Sequence, residues 1–396
     1  MKADRLYYTD SHLTVFDAIV TRVEPRPDGR VNLSLDRSAF YPTSGGQPFD
    51  IGTLNDIRVV DVIDSDDGDV VHVVEGLLES GAKVNGRVDW TRRFDHMQQH
   101  TGQHILSAAF DRLLSARTES FHLGADSATI DLAKELTPAE IARAEADANR
   151  IVWDDRPVHI RFVDAAEAAR LPLRKEPARE GLLRLIEVPD YDLSACGGTH
   201  VQRTGAIGII AVTGWERFRG GSRIGFVCGG RALRAFGRAR DILSASTRLL
   251  SIHPDELPAA IERLQGETKD ARRRVKDAQA KIAVAEAQAI AEAAQGRVAV
   301  AVMDGWDPNG LKLIASAIVA RGGLVAGLVS APAPSSLLIA ASADVDVDCA
   351  AALKQLVAKF GGKGGGRRDI AQGGGAEGDP EQIAANLREI LGASTS

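Results

Sequence analysis

Cysteine is scarce in this chain, with only three among 396 residues. Cys196, Cys228 and Cys349 are odd in number and far apart, which excludes the disulfide framework that staples small secreted domains. Long apolar runs are missing too: none approaches the roughly 18 residues that a membrane-spanning helix needs. The opening Met1-Lys-Ala-Asp-Arg-Leu-Tyr-Tyr lacks the charged-then-apolar order of a secretory leader. A cytoplasmic, reducing setting fits these absences, and there a cysteine is free to act as a thiolate ligand. Positive charge is not in excess. A net charge of −6 and a pI near 5.9 exclude a broadly basic surface for indiscriminate nucleic-acid binding. Any binding of RNA must then rest on local basic patches.

A chain of 396 residues exceeds what one hydrophobic core holds, so two to four domains are expected. The fold class reads as α+β. Residues 1–90 carry short strand-like runs, such as Val31-Asn-Leu-Ser-Leu and Ile57-Arg-Val-Val-Asp-Val-Ile, between Gly, Asp and Pro. They predict a small β-barrel, interrupted by the sharp loop Phe40-Tyr-Pro-Thr-Ser-Gly-Gly-Gln47. Residues 91–236 predict an α+β domain with an antiparallel sheet, a helix from Phe94 to about Leu114 and another from Pro138 to about Val152. Residues 237–297 are helical. Leu257, Ile261, Leu264, Thr268, Ala271, Val275, Ala278, Ile282, Ala285 and Ala289 alternate at spacings of four and three, which is a heptad seam. It suits either an antiparallel hairpin with Arg234–Ile252 or a two-chain coil, and hence a homodimer. Residues 298–396 read as a compact α/β module containing the Gly-rich stretch Gly361–Gly375, taken as a loop.

The chemistry concentrates in the second of these regions. His100 and His104 stand four apart on a helix, so their rings share one face and suit a single metal ion. His96 adds a third step of four. A run of three such rings spans about 12 Å at about 1.5 Å per residue. One ion with bonds of about 2 Å cannot reach both ends, so only two adjacent histidines bind. Cys196-Gly-Gly-Thr-His200 supplies a thiolate and a further imidazole around a glycine pair that permits a tight turn. Three imidazoles and one thiolate form a borderline-soft set that suits zinc and not magnesium or calcium.

His100-Thr-Gly-Gln-His104 together with Cys196-Gly-Gly-Thr-His200-Val-Gln-Arg-Thr-Gly-Ala-Ile-Gly resembles the editing domain of alanyl-tRNA synthetase and its free-standing AlaX relatives. Ser44-Gly-Gly-Gln47 with Asp50 and Gly52 is similar to the Gly-rich motif of that family's N-terminal barrel. Gly221-Ser-Arg-Ile-Gly-Phe226 and Gly230-Arg-Ala-Leu resemble the strand and helix that close the editing domain. Gly361–Gly375 resembles the DHH-associated, or C-Ala, type of C-terminal domain. With no ATP-binding module ahead of the barrel, the resemblance is to the long AlaX form, which edits in trans. It implies zinc-dependent hydrolysis of seryl-tRNA(Ala), and of glycyl-tRNA(Ala), with alanyl-tRNA(Ala) spared. The implied ligands are His100, His104, Cys196 and His200, and the implied substrate sensors are Thr43, Gln47 and Gln103. Backbone N–H groups near Gly45 and Gly46 are candidates for stabilising the developing oxyanion.

The Gly361–Gly375 stretch fails the nucleotide-binding P-loop template, because Gly follows Lys363 where Ser or Thr should stand. Glycines flanked by Lys363, Arg367 and Arg368 are instead read as a cradle for RNA phosphates. Two other readings stay open from the residues: a tRNA-binding protein with a purely structural zinc, and an editing hydrolase for another ester such as seryl-tRNA(Thr).

Overall fold

The computed structural model of the protein describes residues 3–174, 181–331 and 333–395. The chain divides into two compact units, Met1–Ser246 and Thr247–Ser396. The first unit holds both the barrel and the His/Cys region.

The barrel closes in the strand order Val15–Pro25, Val31–Leu35, Val70–Val74, Ile57–Asp64, Gly52–Leu54, Lys83–Val88, with every pairing antiparallel. Val15–Pro25 shows why it forms: Phe16, Ala18 and Val20 alternate inward while their neighbours face out. Helix α1, Trp90–Leu114, leaves the barrel with Asp89 as its N-cap, whose side chain accepts the Arg92 N–H. The helix is anchored by Arg93, fully buried against an equally buried Asp50 of the barrel. Arg93 also donates to the carbonyls of Ser11 and Ala39, so one guanidinium fixes the helix on the barrel loops.

Helix α2, Pro138–Trp153, opens with a full capping box between Thr137 and Glu140. It packs with α1 on a four-stranded antiparallel sheet, Ile210–Phe218, Gly221–Cys228, Ala128–Leu132 and Thr118–Leu123. Ile105, Phe110, Ile130, Ile151, Ile224 and Phe226 are among the members of that core. A separate three-stranded sheet, His159–Val163, Leu183–Val188 and Asp192–Ala195, carries the chain through the short helix α3, Ala165–Ala168, to the Cys196 turn. Helix α4, Gly229–Leu250, follows.

In the second unit, helix α5 runs Leu257–Glu292. A five-stranded sheet follows in the order Val298–Met303, Val325–Ser330, Ser335–Ala341, Ile370–Ala376, Lys363–Gly366. Its centre is buried on both faces. Leu337 and Ile339 face helices α7, Cys349–Phe360, and α8, Pro380–Thr395. Leu338 between them faces α6, Pro308–Val319, and the end of α5. This two-sided burial explains the near-continuous apolar run of Ser335–Ala341.

Two expectations change here. The Gly361–Gly375 stretch is not a loop: Lys363–Gly366 and Ile370–Ala376 form an antiparallel hairpin at the sheet edge. A Cβ at Gly364 would lie 2.6 Å from the Gly373 Cα, so these strands lie too close for side chains on that face. The heptad seam also behaves differently. Ile261, Leu264, Val275 and Ile282 are all exposed, and the residues of α5 that pack under the sheet are Ala283 and Ala287. No helix among the described residues is long and apolar enough to cross a membrane.

Candidate metal centre

Helix α1 presents His100 and His104 one turn apart, and both rings face the turn that follows strand Asp192–Ala195. The ligand atoms of His100, His104, Cys196 and His200 all lie within 4.8 Å of one another. Cys196 Sγ stands 3.4 Å from the Nε2 atoms of both His100 and His200. A tetrahedral ion with nitrogen at about 2.0 Å and sulfur at about 2.3 Å places its donors roughly 3.3–3.6 Å apart. The set is therefore already close to the spacing zinc requires.

The surroundings of each ring decide which nitrogen faces the centre. His100 Nδ1 donates to the Gln47 side-chain oxygen at 2.8 Å, and His104 Nδ1 donates to the Asp192 carboxylate at 3.0 Å. His200 Nδ1 meets the Thr101 hydroxyl at 3.2 Å. With Nδ1 engaged in all three rings, Nε2 points inward, the arrangement metal-binding histidines adopt. The residues present thus fit a zinc ion, in donor chemistry and in ring orientation.

Charge supports the same reading. Burial alone would raise the Cys196 thiol, but His100 and His200 beside it hold it well below its usual value. Burial pushes His200 down to about 3, so it is neutral and able to bind a metal. Burial lowers His104 as well, yet its bonds to Asp192 and Cys196 outweigh this and raise it. Desolvation would raise Asp192, but Arg174 and His104 hold it well below the carboxylate range. Arg174 grips that carboxylate with both arms of its guanidinium, at 2.6 and 3.3 Å.

One side of the donor set opens on a cavity of about 600 Å³. His100, His104 and Cys196 form part of its wall, together with Tyr41, Gly45, Gln103, Thr118, Phe121 and Arg174. Of the expected sensors, the structure brings only Gln103 to this space. Its amide nitrogen is tied to the Ser107 hydroxyl at 2.8 Å, which also receives the Thr118 hydroxyl at 2.8 Å. Gln47 is fully buried and lines no part of the cavity. Its oxygen accepts from His100 and from the Thr199 N–H, and its nitrogen donates to the Thr199 hydroxyl, so its amide holds the metal ligands from behind. Thr43 is exposed on the barrel, where its hydroxyl accepts the Phe49 N–H, away from the cavity. Gln47 reaches His100 because Ser44 and Gln47 close a tight turn, with Gly45 and Gly46 both at positive φ as a hairpin turn of this kind demands.

His96 lies outside the donor set. It is buried with Nδ1 unpaired, and burial pushes it down to about 3. Asp192, Arg174 and Thr101 escaped the sequence reading. The one available signal was that Asp192 and Ser194 alternate as buried polar residues in the strand leading to Cys196. In the second unit Lys363 is exposed on the hairpin, whereas Arg367 pairs with Asp369 at 3.2 Å and Arg368 pairs with Asp346. Both arginines stay largely exposed in these pairs.

Residues 183–225 match the threonyl and alanyl tRNA synthetase second additional domain, and residues 295–393 match the DHHA1 domain. The chain is 34% identical over 401 residues to alanine–tRNA ligase of Pyrococcus abyssi, covering 93% of this chain and 41% of the ligase. It spans about two fifths of the length of that ligase and of the one from Methanoregula boonei, where coverage is 43%. The alanyl-tRNA editing protein AlaX-L of Pyrococcus horikoshii is 32% identical over 400 residues, with 96% of each chain covered. Among solved structures, the C-Ala domain of Aquifex aeolicus alanyl-tRNA synthetase matches 24% of this chain and 89% of its own, at 26% identity and a TM-score of 0.23. The match to AlaX-L covers nearly all of both proteins, and the chain belongs to that family of long alanyl-tRNA editing proteins.

Proposed function

We propose that this chain is a zinc-dependent hydrolase that removes serine, and also glycine, from mischarged tRNA(Ala) while sparing alanine. The carrying observation is a zinc-type donor set forming the wall of a cavity, with Gln103 on the same wall. When bound, zinc supplies a Lewis acid that polarises the ester carbonyl or acidifies a water. The chain's own residues do the rest. His100, His104 and Cys196 hold the reacting centre at the cavity wall, while His200, absent from that wall, completes the set from the protein side. Gly45 lies beside them, and its backbone N–H is our candidate for stabilising the developing oxyanion. The Gln103 oxygen has no partner among the described residues and is offered to the serine hydroxyl. Leaving such a group unpaired against a methyl costs about 1–3 kcal/mol, which gives discrimination of about 5–150-fold against alanine. Lys363, exposed on the hairpin, with Arg367 and Arg368 beside it, is our candidate for meeting RNA phosphate.

A tRNA-binding protein with a structural zinc is the second reading, favoured by the presence of four protein donors. Single-turnover deacylation of seryl-tRNA(Ala) beside alanyl-tRNA(Ala), with and without a chelator, separates the two. Chelator-sensitive loss of serine alone is expected. Stability of both esters toward folded, zinc-loaded protein would leave the binding reading in its place.

A further inference from the structure

Arg184 sits in strand Leu183–Val188 and is only 7% exposed. A guanidinium so deeply buried ordinarily pairs with a carboxylate. Among the described residues none pairs with it. Its hydrogen bonds run instead to three backbone carbonyls: Nε to Tyr8 at 2.8 Å, and Nη1 to Cys196 at 2.7 Å and Gly198 at 2.9 Å. Nη2 is left buried and unpartnered. Such an arrangement is costly, so something other than the general stability of the fold accounts for it.

Two of the three acceptors belong to the turn that carries the thiolate. That turn has a specific mechanical difficulty. Gly198 packs so closely on the His100 ring that any Cβ there would collide with it and crowd the Gln47 amide. Glycine is therefore compulsory, and its backbone freedom would let the Cys196-Gly197-Gly198 peptides rotate. Arg184 removes this freedom. By drawing the Cys196 and Gly198 carbonyls to one side, it fixes the peptide planes. The Gly198 N–H, in the peptide between the two that Arg184 holds, donates to Cys196 Sγ at 3.4 Å. The Arg184 carbonyl also accepts the Cys196 N–H at 3.1 Å, so Cys196 is held through both its backbone groups by one residue. The Tyr8 carbonyl and ring, the latter 5.5 Å from the guanidinium, fasten the other end to the N-terminal segment.

We propose that Arg184 is a positioning residue for the metal centre: its side chain locks the Cys196–Gly198 turn so that the sulfur meets the three imidazoles. It touches neither substrate nor metal. The inference rests on reading the His–Cys set as a zinc site, and not on the deacylase activity.

The test compares full-length wild type with Arg184→Met and Arg184→Lys. Zinc affinity is measured by competition with a chromophoric chelator, and thiolate ligation by the near-ultraviolet thiolate-to-cobalt charge-transfer band of cobalt-loaded protein. Loss of a group that orients metal ligands weakens metal binding by about 10–100-fold. We expect that range for Arg184→Met, with a diminished or shifted band. Arg184→Lys keeps the charge but cannot span three carbonyls, and should fall between. A folded Arg184→Met with wild-type affinity and spectrum would overturn the proposal. If that variant does not fold, an Arg184→Lys protein indistinguishable from wild type overturns it equally. Wild-type protein that takes up neither metal would instead refute the zinc reading underneath.

Discussion

Replacing Gln47 with leucine should weaken the metal centre without touching the substrate cavity. Leucine preserves most of the volume but removes the acceptor for the His100 Nδ1–H and the Thr199 N–H, and the donor to the Thr199 hydroxyl. Gln47 is fully buried, so no water replaces those partners. Each stranded donor costs about 1–3 kcal/mol, and two of them give a loss of about 2–6 kcal/mol in folding stability. The His100 ring is freed to rotate, and zinc affinity should fall by about 10–100-fold. Chemical denaturation in chelator isolates the first effect, and zinc competition measures the second. With saturating zinc, the ratio of serine to alanine deacylation should match that of wild type. A Gln47→Leu protein that binds zinc normally but hydrolyses alanyl-tRNA(Ala) would refute this reasoning and make Gln47 a substrate sensor.

Other perturbations test different links in the argument. Cys196→Ala should abolish deacylation by at least 100-fold while tRNA binding, read by filter retention, persists; parallel loss of both would favour a structural ion. At Gly102 a Cβ would strike the sulfur of buried Cys228, so Gly102→Ala should destabilise by about 1–3 kcal/mol, less the gain from its better helix propensity. Adding Cys228→Ala should recover part of that loss in urea denaturation, and strictly additive effects would deny the contact. His72, sealed in the barrel and bonded to the Leu33 carbonyl and the Ser38 hydroxyl, is pushed by burial from 6.5 down to about 4. Its unfolded form binds the extra proton first, so stability is full above about pH 6.5 and drains away towards pH 4. The span amounts to about 3 kcal/mol. The stability difference between wild type and His72→Gln should therefore shrink by about that amount over this window, and a difference independent of pH would contradict the assignment.

The His100, His104, Cys196 and His200 cluster was legible in the sequence because its geometry is local. A spacing of four on a helix puts His100 and His104 on one face whatever surrounds them, and the glycine pair bends Cys196 back towards His200. What orients those donors was not legible. Gln47, Asp192 and Arg184 reach the site from a barrel turn and from neighbouring strands, across sequence separations that carry no periodic mark. The same limit applies to Gln47 and Thr43. Both stand in a Gly-rich motif near the site, but the Ser44–Gln47 turn lies between them and leaves Gln47 buried and Thr43 exposed. Membership of the motif therefore tells nothing about which of them faces the cavity.

The long helix makes a complementary case, in which a strong periodic signal marks the helix while the stripe buried within this chain is a different one. The seam of Leu257, Ile261, Leu264, Thr268, Ala271, Val275, Ala278, Ile282, Ala285 and Ala289 keeps the heptad rhythm throughout, and α5 is continuous from Leu257 to Glu292. Yet the side that packs under the C-terminal sheet is built from Ala283, Ala287 and Ile290, which stand one or two residues past the seam positions Ile282, Ala285 and Ala289. Each residue is a rotation of about 100° around a helix of about 3.6 residues per turn. Small alanines on this second stripe let α5 approach α6 closely, and alanine's low hydrophobicity made the stripe invisible beside the bulkier seam. Periodicity thus identifies a helix and a candidate face. Which face is buried depends on the shape of the surface it meets, and here that surface selects the smaller side chains.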